Sequence, residues 1–230
     1  MTICIIPARG GSKRIPRKNI KPFLGKPMIA WSIEAAQNAN IFSKIVVSTD
    51  DAEIASIAKA MGAEVPFIRP KELSGDFTTT GEVMSHACNW AVDMGFTSAV
   101  VCCLYPTAPF IQSSDLADAL RVMSSGHWTY VFSVGEYRAP IFRAFEQDPN
   151  GGVKMLFPEN IASRSQDLPE VFHDAGMFYM GTLEAWTAGL PIFNKHAFPI
   201  KIPSWRVQDI DTPDDWIRAE LMATKLLEDK

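Results

Sequence analysis

A doubly wound, mostly parallel α/β sheet carrying a protruding β-rich arm is the fold this sequence predicts, and three observations lead to it. Short apolar runs of strand length alternate with helix-period segments through the first 135 residues. The run Ala99–Leu104 is apolar throughout, as a parallel strand buried on both faces requires. From Glu136 to Asp174 the rhythm breaks into short alternating pieces around a turn at Pro149–Gly152, with too few apolar residues for a core of their own.

The elements follow in order. Ile3–Ile6 reads as a strand, Pro27–Gln37 as a helix and Ile45–Ser48 as a strand, and Ala52–Met61 as a helix closed by Gly62. A strand is expected over Glu64–Ile68. The next helix opens with the capping-box spelling of Thr79 and Glu82 and runs to about Met94. After the Ala99–Leu104 strand come a helix over Ser114–Met123 and a strand over Tyr130–Val134. The α/β pattern resumes with Ala175–Met180, and Asp209–Asp211 is placed at a strand end. Thr212 as N-cap and Pro213 at the first helical position announce the last helix. Its apolar stripe of Trp216, Ala219, Ala223 and Leu226 reads as core packing.

With 230 residues, 47% of them hydrophobic, the chain can bury a core as one domain over residues 1–230, the arm 136–174 being an insertion within it. No apolar run approaches the roughly 18 residues of a membrane span, and the first strand begins without a signal-type segment, which predicts a cytoplasmic protein. Cys4, Cys88, Cys102 and Cys103 lack metal-type spacing and read as small hydrophobes of a reduced compartment. Four histidines without a paired spacing argue against a histidine-rich zinc site.

Arg9, Lys13, Arg14, Arg17 and Lys18 concentrate five cations just after the first strand of a chain whose net charge is −4. Such local charge points to a small polyanionic ligand, because a nucleic-acid binder spreads basic residues over a face. Gly10 and Gly11 suggest turn geometries closed to other residues and backbone N–H groups brought close to a phosphate. The spelling fits neither a P-loop nor a dinucleotide-binding fingerprint; a solvated basic turn is the plain alternative. A doubly wound sheet binds ligands beyond the carboxyl ends of its strands, where this loop, Asp50, the Tyr105–Phe110 loop and Asp209 would gather. Ile210 between Asp209 and Asp211 predicts that both carboxylates share one face, a pair suited to Mg²⁺ with substrate phosphate and water completing the shell. Simple capping of the last helix is the alternative for Asp211.

Pro7–Asn19 followed by Phe23–Met28, then Val47–Asp50, Arg69-Pro70 with Glu72-Leu73, Pro106–Pro109 and Asp209–Thr212, in this order, resemble the cytidylyltransferases that activate nonulosonic, sialic-type acids. That resemblance covers nearly the whole chain. It implies a Rossmann-like nucleotide-diphospho-sugar transferase fold, CTP and a nonulosonic acid as substrates, Mg²⁺, and a homodimer. By position it implies triphosphate contacts for Arg9, Lys13 and Lys18, a nucleotide contact for Asn19, and cytosine contacts for Arg69 and Thr80, with Gly10, Gly11 and Ser12 in the same loop. Arg9, Lys18 and Asp211 are the catalytic candidates. Arg164 would meet the sugar carboxylate, for which a bidentate guanidinium is suited, and Tyr105, Thr107, His173 and Tyr179 would complete the sugar site. The family's acetylneuraminate members typically carry Gln where Tyr105 stands and an Arg-Pro-Asn-Gly-type segment where His173–Gly176 stands. Both departures resemble the pseudaminic acid branch.

The resemblance implies attack of the sugar's anomeric hydroxyl on the α-phosphorus of CTP, with Asp211 the leading candidate base and His173 and Asp174 weaker ones. Activation of neuraminate or legionaminate is the neighbouring alternative. A nucleotide-sensing module without turnover is the alternative of another class, and it gives no reason for paired carboxylates. Plain readings also exist for Arg69 and Arg164 as surface charges, and for Tyr105 as packing.

Overall fold

The computed structural model describes residues 1–97 and 99–228, with side chains of the last helix described through residue 224. The first half comprises β1 (Thr2–Pro7), β2 (Pro22–Phe23), β3 (Lys26–Pro27), α1 (Met28–Ala39), β4 (Lys44–Ser48), α2 (Ala52–Ala60), α3 (Thr80–Asp93), β5 (Val100–Leu104) and α4 (Ser113–Met123). The second comprises β6 (Tyr130–Glu136), β7 (Phe145–Gln147), β8 (Val153–Met155), β9 (Phe172–Thr182), α5 (Leu183–Thr187), β10 (Ala197–Lys201) and α6 (Pro213–Glu228).

Six strands form the main sheet in the order β10-β6-β9-β5-β1-β4. The pairs β1–β4, β1–β5 and β6–β10 are parallel, and β9 runs antiparallel between β5 and β6. Because successive strand residues face opposite ways, Cys4, Ile6, Val47, Cys102 and Leu104 pack toward α1, α2, α4 and α6. Ile3, Ile5, Val46, Val101 and Cys103 pack toward α3 and α5 on the other face. Helices on both faces make the sheet doubly wound, as the apolar runs predict. All four cysteines are free and buried, three of them in these strands.

Local chemistry fixes the helix starts. Thr79 accepts from the Glu82 N–H while Glu82 accepts from the Thr79 N–H, so the capping box forms. In α6 the Thr212 hydroxyl accepts from the Asp215 N–H at 3.2 Å and Asp215 reaches back to the Thr212 N–H at 2.8 Å. Trp216, Ala219 and Ala223 are buried as expected; the Leu226 side chain lies outside the described residues.

Two expected strands do not form. Over 64–68 there are only isolated bridges, Val46 to Glu64 and Thr49 to Ile68; Pro66 inside the run has no N–H to give a ladder. Asp209–Asp211 lies in a loop. Ile210 is nevertheless fully buried, and this anchoring turns the two flanking carboxylates outward without a strand partner. The approach to that loop is pinned by Arg206, which pairs bidentately with Asp115 of α4 at 2.6 and 2.9 Å and donates to the Phe110 carbonyl at 3.2 Å. Both charges are buried, so removing either leaves the other unpaired, a cost of about 3–5 kcal/mol.

Between β6 and β9 the chain makes an excursion over residues 137–171, containing the antiparallel β7–β8 hairpin. Phe142 and Phe157 meet edge to face at 5.3 Å within it. Phe145, Val153, Leu156 and Ile161 remain largely exposed. Glu136 and Phe172–Asp174 belong to the flanking strands.

Candidate active site

The loop after β1 is held by its own apolar residues. Ile15 and Ile20 are buried beneath it, and Asn19, also buried, donates from Nδ2 to the Arg9 carbonyl at 3.0 Å. Arg17 takes a left-handed backbone, φ 57°, and turns away to pair with Asp51, the N-cap of α2, at 2.5 and 3.0 Å, and with Glu53. This leaves Arg9, Lys13, Arg14 and Lys18 lining a cavity of about 550 Å³, together with Ser12 and Asn19.

The two glycines act otherwise than expected, since neither has a positive φ. A Cβ on Gly10 would stand 2.6 Å from a carboxylate oxygen of Asp51, so close approach to the α2 cap is what requires glycine there. Gly11 faces open space. The Gly10 N–H donates to Asp50 at 3.1 Å, and neither glycine lines the cavity.

Arg69, Thr80, Tyr105 and Thr107 form the opposite wall. The Arg69 side chain is only 3% exposed. Its Nε donates to Ser74 at 3.2 Å and its Nη2 to the Ala8 carbonyl at 3.4 Å, with Asp50 at 3.7 Å. Its Nη1 makes no hydrogen bond among the described residues. Tyr105 meets Thr80 hydroxyl to hydroxyl at 2.8 Å, and burial pushes its phenol up to about 12.

Carboxylates from distant segments neutralise the cations. Asp76 bridges Arg9 at 3.0 Å and Lys13 at 2.5 Å, and Arg9 also donates to the Gly75 carbonyl at 2.9 Å. Asp211 accepts from Lys18 at 3.1 Å and Arg14 at 2.7 Å, while Lys18 also donates to the Ile210 carbonyl at 2.6 Å. Partial burial opposes ionisation of Asp211, but the two cations outweigh it and hold its carboxyl below the usual range. Asp209 shifts the other way. Although more than a third of its surface is accessible, crowding by protein and then the neighbouring Asp211 charge raise its carboxyl above the usual range.

Asp211 also borders a second cavity of about 410 Å³, lined with it by His173, Asp174, Asp209 and Asp215. Among the described residues no three acidic, cysteine or histidine groups form a metal-binding cluster. A pair of carboxylates at the junction of a cationic pocket nevertheless fits a Mg²⁺ that takes its remaining ligands from phosphate and water. Asp174 is not free as a base, since it accepts from the Tyr179 hydroxyl at 2.5 Å and the Gly176 N–H at 2.9 Å. His173 Nδ1 lies 2.9 Å from the Asp174 carbonyl, which only accepts, so in the neutral ring Nδ1 carries the proton and Nε2 keeps its lone pair.

The expected Arg9, Ser12, Lys13, Lys18, Asn19, Arg69, Thr80, Tyr105, Thr107 and Asp211 thus line one cavity, while Asp209 and His173 border the second with Asp211. Tyr179 is buried behind Tyr105, ring centroids 5.5 Å apart. Arg164 stands in the excursion, paired with Asp167 at 2.7 Å, and lines neither cavity. Two participants escaped the sequence reading. Arg14 was visible only as one of a cluster of cations, and Asp76 occupies an ordinary polar stretch whose partner Arg9 lies 67 residues away.

Residues 3–142 match the family model described as Cytidylyltransferase. The pseudaminic acid cytidylyltransferase of Campylobacter jejuni subsp. jejuni serotype O:23/36 (strain 81-176) is 44% identical over 220 residues, 96% of this chain and 95% of that one. The chain belongs to the cytidylyltransferase family. A Helicobacter pylori protein that joins pseudaminic acid cytidylyltransferase to a UDP-sugar hydrolase is 37% identical over 90% of this chain and 40% of its own length. The solved structure of CMP:2-keto-3-deoxy-manno-octonic acid synthetase complexed with CTP superimposes with a TM-score of 0.71 at 17% identity, covering 98% of this chain and all of that one, a likeness of fold. The cytidylyltransferase is therefore a nucleotidyltransferase on a nucleotide-sugar transferase-like fold. Enzymes of this kind generally use a divalent metal. No helix among the described residues is long and apolar enough to cross a membrane.

Proposed function

We propose that this cytidylyltransferase joins CTP and pseudaminate into CMP-pseudaminate and pyrophosphate. The observation that carries the reading is a single cavity bounded by four phosphate-loop cations, buried Arg69 and the carboxylate of Asp211. Relatedness along nearly the whole chain to a pseudaminic acid cytidylyltransferase supports the choice of sugar.

In this reading Arg9, Lys13, Arg14 and Lys18 receive the triphosphate in exchange for Asp76 and Asp211. The spare Nη1 of Arg69 and the Thr80 hydroxyl distinguish the cytosine edge by its donors and acceptors. The sugar's anomeric oxygen forms the new bond to the α-phosphorus as the bond to pyrophosphate breaks, and the hydroxyl proton passes to solvent water. Lys18 and Arg9 neutralise the departing charge, so catalysis is chiefly positioning and electrostatic stabilisation. Asp209 and Asp211 would hold Mg²⁺, which when bound neutralises and orients phosphate oxygens.

We further propose that the arm pairs two copies of the chain and that Arg164 of one copy reaches the sugar carboxylate in the other. The exposed apolar residues of the excursion support this, and a fully active species with monomer mass in light scattering would remove it. Pyrophosphate release with CTP and a panel of nonulosonic acids tests the main reading. Pseudaminate is expected to give the highest kcat/KM; an equal value for neuraminate would overturn the choice of sugar.

A further inference from the structure

We propose that Asp174 is a positioning residue that fixes the sugar-side wall of the pocket through Tyr179. The inference deepens the proposed function and rests on it. Its basis is an irregularity in β9, where the register with β6 jumps from Phe132 opposite Tyr179 to Val134 opposite Asp174. On the β6 side residues 175–178 stand opposite Ser133 alone, with Gly176 at φ 62° supplying a left-handed turn, while Phe178 stays paired with Leu104 of β5. Ser133 Oγ accepts from the Met177 and Phe178 N–H groups at 3.3 and 3.1 Å, so backbone donors freed by the bulge stay satisfied. A bulge beside an active site commonly re-aims a side chain, and here it folds Asp174 back over Tyr179.

Both oxygens of Asp174 are committed, one to the Gly176 N–H and the other to the Tyr179 hydroxyl. A carboxylate only accepts, so the phenol must donate, and a charge-assisted bond of this kind fixes the ring's reach as well as its proton. The Tyr179 ring is held between Phe132, nearly parallel at 6.4 Å, and Tyr105, edge-on at 5.5 Å. Tyr105 borders the pocket and ends on Thr80. Asp174 itself does not line that pocket. A shift at Asp174 therefore reaches the substrate as a displaced aromatic wall, and displacements of about 1 Å are enough to change turnover.

The test is a double-mutant cycle of Asp174→Ala and Tyr179→Phe, assayed with CTP and with pseudaminate and neuraminate. Each single change should raise KM for pseudaminate roughly tenfold or more, as loss of a hydrogen bond to a charged group does. KM for CTP should stay within about twofold, and the double variant should be no worse than the poorer single one. Asp174→Asn, with one acceptor oxygen for two donors, should fall between wild type and alanine, and all pH–rate profiles should keep their shape. Additive losses, an equal rise in KM for CTP, or loss of the acid limb in the Asp174 variants would overturn the proposal. If the wild-type protein prefers another nonulosonic acid, the choice of sugar fails and the same cycle on that acid decides the role of Asp174. Should it turn over none, NMR of labelled tyrosines decides it: the Tyr105 ring signals must move in both single variants, and unmoved signals would overturn the contact. A variant with a collapsed Tm is replaced by Asp174→Asn in either measurement.

Discussion

Under the proposed function the pocket has a nucleotide end and a sugar end, and the two are built on opposite plans. At the nucleotide end one contiguous loop supplies Arg9, Ser12, Lys13, Arg14, Lys18 and Asn19, plugged into the core by Ile15 and Ile20. At the sugar end, Tyr105 follows β5, and Tyr179 and Asp174 flank a bulge in β9. The first plan concentrates charge and is insensitive to what lies beyond it. The second makes shape depend on several elements in register, so it can change with the sugar while the phosphate grip stays constant.

Asp211 borders both cavities and anchors two of the loop's cations, so its loss should be the most damaging. Asp211→Ala is expected to reduce pyrophosphate release about 10³-fold or more with the fold intact by circular dichroism. Wild-type turnover at saturating Mg²⁺ would break the assignment of the carboxylate pair. Arg9→Ala and Lys18→Ala should each weaken CTP handling by about 1.5–3 kcal/mol, roughly 10–100-fold in kcat/KM for CTP. The ratio between sugars should not move. A changed ratio with unchanged CTP kinetics would erase the division between the two ends.

Tyr105→Gln should act in the opposite sense, narrowing the preference for pseudaminate over neuraminate by about tenfold or less while CTP kinetics change little. A site without strict polar demands discriminates only modestly. If the substitution instead raised KM for CTP as strongly as Arg9→Ala does, Tyr105 would belong to the nucleotide end through its bond to Thr80.

The smallest effect concerns the loop's frame. Hydrogen bonding from Arg17, opposed by partial burial, holds the Asp51 carboxyl at about 2 against its ordinary 3.8. A carboxylate depressed in this way adds stability above its unfolded value and loses it as pH falls through the folded one. Arg17→Met is expected to cost about 1 kcal/mol at neutral pH, a Tm decrease of roughly 2–4 °C. The deficit relative to wild type should shrink as pH falls from 3.8 toward about 2. A constant deficit across that window would trace the effect to the left-handed backbone of Arg17 and not to its ion pair.

The same contrast explains what the sequence disclosed. A strand followed by clustered cations is local information, and so are the capping box at Thr79 and the alternation that builds both faces of the sheet. Asp209 and Asp211 were legible as a pair because Ile210 between them is apolar, although burial of that one residue, and no strand, is what orients them. The strand expected over 64–68 failed on Pro66, whose missing N–H the apolar pattern outweighed. Gly10 was legible as a special residue for the wrong reason, since the contact that requires it is with Asp51, across the loop. Asp76, and the bond from Asp174 to Tyr179, depend on how loops and a bulge fold back, and residue spacing carries no trace of either.

Asp76 between Arg9 and Lys13 gives the pocket the character of an ion exchanger already loaded with its counter-ion. Under the proposed function a triphosphate entering it would displace a tethered anion, so the free energy of binding would be a difference between two anions on the same cations. Added salt then competes with a pairing present on both sides of the exchange, and affinity falls less steeply with ionic strength than four cations facing water would dictate. The tether works at the other end of the cycle as well. Held on its loop at high effective concentration, the carboxylate returns as pyrophosphate departs, and the pocket that grips a polyanion tightly can still let one go.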